Sequence, residues 1–433
     1  MERLPDEPLR ALQLKKFQKM VEWAYERSTF HRRLYQEAGL EPGDIKTWDD
    51  IRKVPQVEKS MMRSIQRKDP FPYGEALCVP LEEVVEFRQT SGTTGQPVYQ
   101  PDTWQDWEWW SESWAYILYA QGFRKTDRVF LPFGYNVFVA FWAAHYAAEK
   151  LGCEVVPGGV LDTAARILKI QELRASAMMA TPSYVLTMAD TARSRLSLNP
   201  AEDLTIRRIV CAGEPGASIP STRKRMEEAW GAKVYDHVGA TEIGAWGFEC
   251  QEQAGIHVNE AFFLLEIEDL VTGQPITGPG QKGKMVITAL DRMAQPCIRF
   301  DSKDVVEWAD APCLCGRTFR LLKGGVSGRA DDITKVKGVL LSPSAIEEVV
   351  RGIPELGDEY EVLVFKKKDT DEIVLKVEIL PGRESVQEEM LARLKDRLRL
   401  QTNLNYKIEI HPFQSLPRPE GKARRFKDLR KHE

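Results

Sequence analysis

The sequence has 433 residues, with 60 Lys plus Arg against 64 Asp plus Glu, a formal charge of −4, 43% hydrophobic and 29% charged residues. At roughly 150 residues per domain this implies two or three folding units with a large core, and it excludes disulfide scaffolds, collagen-like repeats and disordered chains. The slight acidic excess argues against a nucleic-acid partner, because a phosphate-backbone footprint needs clustered surplus cations.

The N-terminal stretch MERLPDEPLRALQLKKFQKM is charged where a signal peptide would be uninterruptedly apolar, so a cytoplasmic location is expected. Roughly the first 60 residues read as helical, with Leu9, Leu12, Phe17, Val21 and Ala24 near helical spacing, and suggest a lid or docking element. From Val84 onward short apolar strands alternate with amphipathic helices: VVEF, a helix over 104–119, RVFLPF, a helix to Lys150, and CEVVP. ASAMMATP, RRIVCAG, the helix STRKRMEEAWG and KVYDHV follow. Such alternation predicts parallel strands covered by helices. Residues 129–148 are uncharged, but Pro132, Gly134, Asn136 and His145 interrupt them. A buried strand-turn-helix is therefore expected there and no membrane span. Five tryptophans, Trp104, Trp107, Trp109, Trp110 and Trp114, crowd one helix, for which core packing is the default.

After Gly244 the rhythm changes to closely spaced strands, FFLLEIED, KMVITAL and CIRFDSKDVVEW, which suggest an antiparallel subdomain. Past Gly328 the chain reads as a small separate α+β unit. It comprises the strand ITKVKGVLL, a helix opened by Ser342 and Pro343, a long hairpin, a second helix and the strand YKIEIHPF. The expected architecture is thus α/β, with a large N-terminal domain over 1–328 and a small C-terminal domain over 329–433.

Three kinds of segment carry chemistry. Thr90-Ser91-Gly92-Thr93-Thr94-Gly95-Gln96-Pro97 combines turn-forming glycines with four hydroxyls, which suits polyphosphate oxygens, although the same residues also read as a polar hairpin turn. Gly213-Glu214-Pro215 and the run from Asp236 to Glu242 each close a strand of the parallel series, where α/β sheets bind ligands, and Glu242 offers an oxygen to Mg²⁺. Farther on, Asp304 and Arg329 suit ribose hydroxyls, and Lys422 offers a mobile point charge.

In order and spacing these motifs resemble the adenylate-forming superfamily of acyl-CoA synthetases, and within it the phenylacetate-CoA ligase family. The resemblance rests on SGTTG, Gly-Ala-Thr-Glu, Asp304, GRADDITKVKGVLLSP and PRPEGKARR. It implies that Ser91, Gly92, Thr93, Thr94 and Gly95 enclose the β- and γ-phosphates of ATP, that Thr241 touches the α-phosphate, and that Glu242 coordinates Mg²⁺. Gly213, Glu214, Pro215 and Asp236 would shape the adenine pocket, Asp304 and Arg329 would hold the ribose, Asp331 would be the hinge, and Lys422 would bridge carboxylate and α-phosphate. Three positions depart from the family: Gln96 replaces a loop Lys, Val238 an adenine-stacking aromatic residue, and Lys303 the Gly of a Thr-Gly-Asp motif. These bear on nucleotide affinity more than on reaction class. Tyr135, Phe138 and Ala212 are candidates for an acyl pocket by position.

A second constellation is Cys250-x6-His257 with Cys313-Leu314-Cys315, three thiols and an imidazole suited to structural Zn²⁺; similar cysteines recur in some relatives. The other reading is reduced thiols near a turn. The reaction implied is activation of an aromatic or arylacetic carboxylate by ATP, then transfer to coenzyme A with release of AMP and pyrophosphate. The alternatives are an adenylyltransferase of the same fold with a phenolic acceptor and a non-catalytic zinc-stabilised binding protein. Relatives often form homodimers, and the sequence leaves the oligomeric state open.

Overall fold

The computed structural model describes residues 1–90, 96–330, 334–337, 339–341, 343–367, 370–418 and 425–432. Its centre is an eight-stranded sheet whose strands, in spatial order, are Leu321–Leu322, Ile256–Val258, Gly244–Phe248, Lys233–Ala240, Arg208–Cys211, Ala177–Ala180, Arg128–Leu131 and Glu154–Pro157. The last five run parallel, as the alternation with helices predicts. Ala177–Ala180 is buried at every position, which is why it reads as an unbroken apolar run rather than an alternating one. Pro182 and Pro220 stand in the first turns of the crossover helices Pro182–Leu196 and Pro220–Trp230, where a missing N–H costs nothing.

The antiparallel strands after Gly244 are divided between two sheets. Gly244–Phe248 turns straight back onto Lys233–Ala240 and pairs antiparallel with it, and Ile256–Val258 and Leu321–Leu322 extend the same sheet. A return this tight can only be antiparallel, so these strands complete the main sheet instead of starting a subdomain. Phe263–Glu268, Lys282–Ala289 and Phe300–Glu307 do form a second, antiparallel sheet, to whose outer strand Val57–Glu58 adds in parallel and Gly328–Arg329 antiparallel.

Of the two expectations for the N-terminal segment, lid or docking element, the packing is that of a docked helix. The helix Asp6–Arg27 buries Leu9, Phe17, Met20, Val21 and Ala24, and Phe17 to Ala24 share a core with Leu264, Leu290, Met293 and Ile298 of the second sheet and its turns. Gln13 Nε2 donates to the carbonyls of Glu260 (3.0 Å) and Phe263 (2.9 Å), fixing the helix to the body. In the helix Trp104–Ala120 four of the tryptophans are buried and Trp104 is exposed. Among the described residues no helix is long and apolar enough to cross a membrane.

The C-terminal part is a four-stranded sheet in the order Lys407–Pro412, Thr370–Ile379, Leu356–Lys367, Phe426–Asp428, packed with the helices Pro343–Arg351 and Gln387–Thr402. Its buried apolar cluster runs from Val336 to Tyr406 and shares no residue with the other three clusters. The expected single strand ITKVKGVLL is instead a hairpin of Thr334–Val336 and Val339–Leu341, with Lys337 at φ 49°. This unit rests on the main body through polar contacts. Arg225 Nη1 pairs with Asp358 Oδ1 at 2.7 Å, and Arg225 Nη2 donates to the Ile353 carbonyl at 2.8 Å. Ser221 Oγ lies 3.1 Å from Glu348 Oε2, and Arg425 Nη2 donates to Ser183 Oγ at 3.0 Å.

Candidate active site

The loops expected to bind ligand leave the carboxyl ends of adjacent parallel strands. Gly213, at φ 94°, takes a left-handed conformation that favours glycine and starts the turn after Arg208–Cys211. The Glu214 carboxylate accepts the backbone N–H of Ser183 at 2.7 Å, joining two neighbouring loops. Asp236 is buried in the next strand; burial, then the nearby Glu249 carboxylate, pushes its carboxyl up to about 8, against the pull of Arg223. Beside it, His237 packs on the Trp114 ring (3.9 Å between centroids), and its Nδ1–H donates to the Gly247 carbonyl at 2.9 Å. Burial lowers the imidazole to about 3, so this ring is neutral.

Glu242 is also buried, and its Oε1 lies 2.6 Å from Lys59 Nζ. Lys59 opens the short helix Lys59–Ile65, which the sequence reading passed over. Three distant segments meet there. Lys59 holds Glu242, Arg63 Nε donates to the Gln96 carbonyl at 2.9 Å, and Glu58, one residue before the helix, accepts from Lys303 Nζ at 3.1 Å. Arg67, just beyond, bonds to the Gln96 side chain and lies over the Tyr99 ring. The strands Glu86–Gln89 and Tyr99–Asp102, which flank the hydroxyl-rich segment in sequence, pair antiparallel with Gln89 opposite Tyr99. Ser91, Gly92, Thr93, Thr94 and Gly95 themselves lie outside the described residues, as do Asp331 and Lys422.

Asp304 and Arg329 are direct cross-strand partners, with Arg329 Nη1 3.7 Å from Asp304 Oδ1. Strand pairing thus brings together two residues 25 positions apart that the family resemblance assigns to one sugar. Lys303 has φ 64°, which accounts for Gly as the family residue at that position. Its ammonium pairs with Asp301 at 2.7 Å as well as with Glu58. Lys303 itself and Lys284 hold the Asp301 carboxyl below its ordinary range, against burial.

Of the acyl-pocket candidates, Tyr135 donates its hydroxyl to His145 Nδ1 at 2.5 Å, and His145 Nε2–H donates to Glu149 at 3.1 Å. Glu149 only accepts, which sets this tautomer. The Tyr135 ring meets the edges of Trp142 and Phe133, and Phe133 stacks on Phe141 at 3.5 Å. Phe141, Trp142 and His145, which the sequence reading did not place beside Tyr135, belong to the helix Ala140–Lys150, and their helical spacing puts them on one face. Phe138 is exposed. Ala212 is buried two strands away along the same sheet edge, about 10 Å across.

Cys250, His257, Cys313 and Cys315 converge, with their ligand atoms all within 4.8 Å of one another. Cys250 Sγ is 3.5 Å from Cys313 Sγ, and Cys315 Sγ is 3.5 Å from His257 Nε2. Thiolates about a tetrahedral zinc, with bonds of about 2.3 Å, stand roughly 3.8 Å apart, so the donor set fits. His257 Nδ1 faces the Phe319 carbonyl at 3.2 Å, which leaves the Nε2 lone pair for a metal. Burial lowers this imidazole to about 4, keeping it neutral. The cluster lies at the antiparallel end of the main sheet, not in a separate subdomain.

Residues 338–430 match the family described as AMP-binding enzyme C-terminal domain. Over 451 aligned positions the chain is 34% identical to the phenylacetate-coenzyme A ligase of Thermus thermophilus, covering 100% of this chain and 99% of that protein. It is 31% identical to the phenylacetate-coenzyme A ligase of Pseudomonas putida, covering 99% of this chain and 96% of that one. Among solved structures, 2-hydroxyisobutyryl-CoA ligase in its postadenylation state, bound to an acyl-AMP, superposes with a TM-score of 0.93 at 28% identity, over 99% of this chain and 91% of that chain. The same ligase gives a TM-score of 0.75 in an open conformation, over 99% and 93% of the two chains. In its thioesterification state it gives 0.74, over 99% and 91%.

Proposed function

The chain belongs to the phenylacetate-coenzyme A ligase family of AMP-forming acid–CoA ligases, and from that premise we propose how its own residues divide the work and which acid it takes. The reaction is activation of a carboxylate by ATP to an acyl-adenylate, followed by transfer of the acyl group to coenzyme A.

The convergence on the helix Lys59–Ile65 carries the assignment of roles. It gathers the shoulder of the phosphate loop, the Glu242 acid and the segment that bears Asp304 into one neighbourhood. In the first half-reaction a substrate carboxylate oxygen attacks the α-phosphorus of ATP, and the bond to the pyrophosphate oxygen breaks. Ser91 to Gly95 receive the β- and γ-phosphates, Thr241 contacts the α-phosphate, and Lys422 holds the attacking carboxylate against it. Glu242 suits Mg²⁺, since its buried carboxylate already faces the cation Lys59; bound there, the ion offsets charge on the transferring phosphate. Asp304 accepts from the ribose hydroxyls with Arg329 beside it, and Gly213, Glu214, Pro215 and Asp236 border the base. In the second half-reaction the CoA thiol, losing its proton, adds to the acyl carbon, the bond to AMP breaks, and a thioester leaves.

Two half-reactions at one site require a change of lining, which the C-terminal unit supplies by turning at Asp331. The better superposition on the postadenylation state than on the other two supports reading the present arrangement as the adenylation side of that cycle. Zinc, where bound to Cys250, His257, Cys313 and Cys315, is structural, for all four ligands come from the protein and none is left for substrate.

For the acid, the relatives named for phenylacetate and the aromatic set of Phe133, Tyr135, Phe141 and Trp142 support an arylacetic substrate. The test is a screen of arylacetic, benzoic and short 2-hydroxy acids for CoA-dependent AMP formation. Arylacetates should give the highest kcat/KM. A preference for 2-hydroxy acids would overturn the substrate class, and AMP formation with none of them would overturn the assignment of this chain to the reaction.

A further inference from the structure

We propose that Arg292 is a positioning residue for adenylation, holding the Thr241–Glu242 segment in the geometry that Mg²⁺ and the α-phosphate need. The inference rests on the role given to Glu242 above. Arg292 is fully buried. Its Nε and Nη2 lie 2.9 and 2.8 Å from Asp102 Oδ1, and its ring-side neighbour is Trp110, 5.0 Å from the guanidinium carbon. Nη1 donates to the carbonyls of both Thr241, at 3.0 Å, and Glu242, at 3.3 Å.

The base of this arrangement is itself fixed. Asp106 caps the helix Trp104–Ala120 together with Thr103, and its carboxylate accepts the backbone N–H groups of Met293 at 2.6 Å and Ala294 at 3.2 Å. Trp109 Nε1 donates to the Leu290 carbonyl at 2.7 Å. Residues on both sides of Arg292 are thus bonded to the first turns of one helix, while the guanidinium reaches past it to the catalytic segment. Gly244 closes the arrangement: a Cβ there would come within 2.6 Å of Trp109 and 2.7 Å of Phe263, so the backbone two residues past Glu242 packs directly against these rings.

A buried ion pair is a poor device for stability alone, because apolar residues of similar volume often serve as well or better. What an apolar pair cannot do is donate to two consecutive peptide carbonyls. Those two bonds fix the peptide planes on both sides of the Glu242 α-carbon, and hence the direction in which its carboxylate leaves the backbone.

The test compares Arg292→Met, Arg292→Lys and the double variant Asp102→Leu/Arg292→Met with the full-length wild type. The double variant removes both charges and guards against a fold lost to an unpaired Asp102. Amide hydrogen exchange over residues 241–244 should accelerate tenfold or more in Arg292→Met and in the double variant, with Arg292→Lys between them and wild type. Half-saturating Mg²⁺ for ATP–pyrophosphate exchange should rise at least fivefold, while thioester formation from supplied acyl-adenylate falls by a smaller factor. A folded double variant with wild-type amide exchange over 241–244 overturns the proposal. So do loosened amides with unchanged Mg²⁺ dependence, which would leave Arg292 a structural residue only. A wild-type protein without ATP–pyrophosphate exchange on any acid sinks the functional reading instead, and amide exchange then decides the positioning role by itself.

Discussion

Arg225→Ala removes one side chain from the seam between the main body and the C-terminal unit, and its effect follows from two bonds. Arg225 Nη1 pairs with Asp358 at 2.7 Å, and Nη2 donates to the Ile353 carbonyl at 2.8 Å. Asp358 keeps a partner after the change, because Arg351 Nη1 stays 2.9 Å away within its own unit. The loss is therefore of cross-seam bonds and not of an orphaned charge. Hydrogen bonds to charged groups contribute about 1.5–3 kcal/mol each when buried. Arg225 is 19% exposed, which discounts the pair to about 2–3 kcal/mol in all. That disfavours the present arrangement against the other by roughly 30- to 150-fold. Ser221–Glu348 and Arg425–Ser183 still hold the seam, so the unit remains attached. The assay measures adenylation by pyrophosphate release and thioester formation from supplied acyl-adenylate, each in single turnover. The ratio of the two rate constants should move toward thioester formation by up to that factor. A ratio within twofold of wild type, with limited proteolysis of the seam also unchanged, would refute the reasoning.

Other consequences follow from particular sites. The purified protein should carry one zinc per chain by elemental analysis, and Cys313→Ser should lose it with a fall in melting temperature on the order of 5 °C or more; full stability without metal uptake would count against the site. Asp236, raised to about 8, binds its proton more tightly folded than unfolded, so its contribution to stability is complete below about pH 4 and is lost as pH rises through about 8. Asp236→Asn escapes that loss. The melting temperature of the variant minus that of wild type should therefore grow between pH 5 and 8 by about 1.5 °C per unit, taking about 1.4 kcal/mol per unit and an unfolding entropy of about 0.9 kcal/mol/K for the chain. A flat difference would mean that Asp236 is ionised throughout.

How much of this could be read from the sequence varies with the distance over which each feature is determined. The parallel strands were legible because Ala177–Ala180 and Arg208–Cys211 are short apolar runs between amphipathic helices, a local pattern. Which sheet Gly244–Phe248 joins was not, since strand periodicity carries no information about the partner. The hairpin at Lys337 escaped notice because its strands are only three residues each and the Lys337-Gly338 pair between them lacks the Asn or Asp that usually precedes Gly in such a turn. That Asp6–Arg27 docks was one of the two expectations, but the surface it docks on was not legible, because an amphipathic face shows that a helix packs, not on what.

The site divides in the same way. Glu242, Asp304 and Arg329 were singled out by the resemblance of the motifs that carry them to one family, and cross-strand pairing brings the last two together. The four zinc-ligand candidates stood out because clustered Cys and His are rare in a reduced chain. Lys59, Arg63 and Arg292 were missed. Lysine and arginine are common surface residues, and their contacts with Glu242, Gln96 and Thr241 span 183, 33 and 51 positions. No local pattern encodes such a meeting, which depends on the packing of Lys59–Ile65 and of the turn at 290–294 against the sheet edge.

The account depends most on one division of labour between two half-reactions, and Lys422→Ala tests it directly. The measurement is pyrophosphate release with carboxylate and ATP beside thioester formation from preformed acyl-adenylate and CoA, on the same preparation. The account predicts a loss of adenylation by a factor of 100 or more, on the order of the ~3 kcal/mol a buried charge-stabilising group supplies, with thioester formation within a few-fold of wild type. Equal loss in both, or in neither, would contradict it.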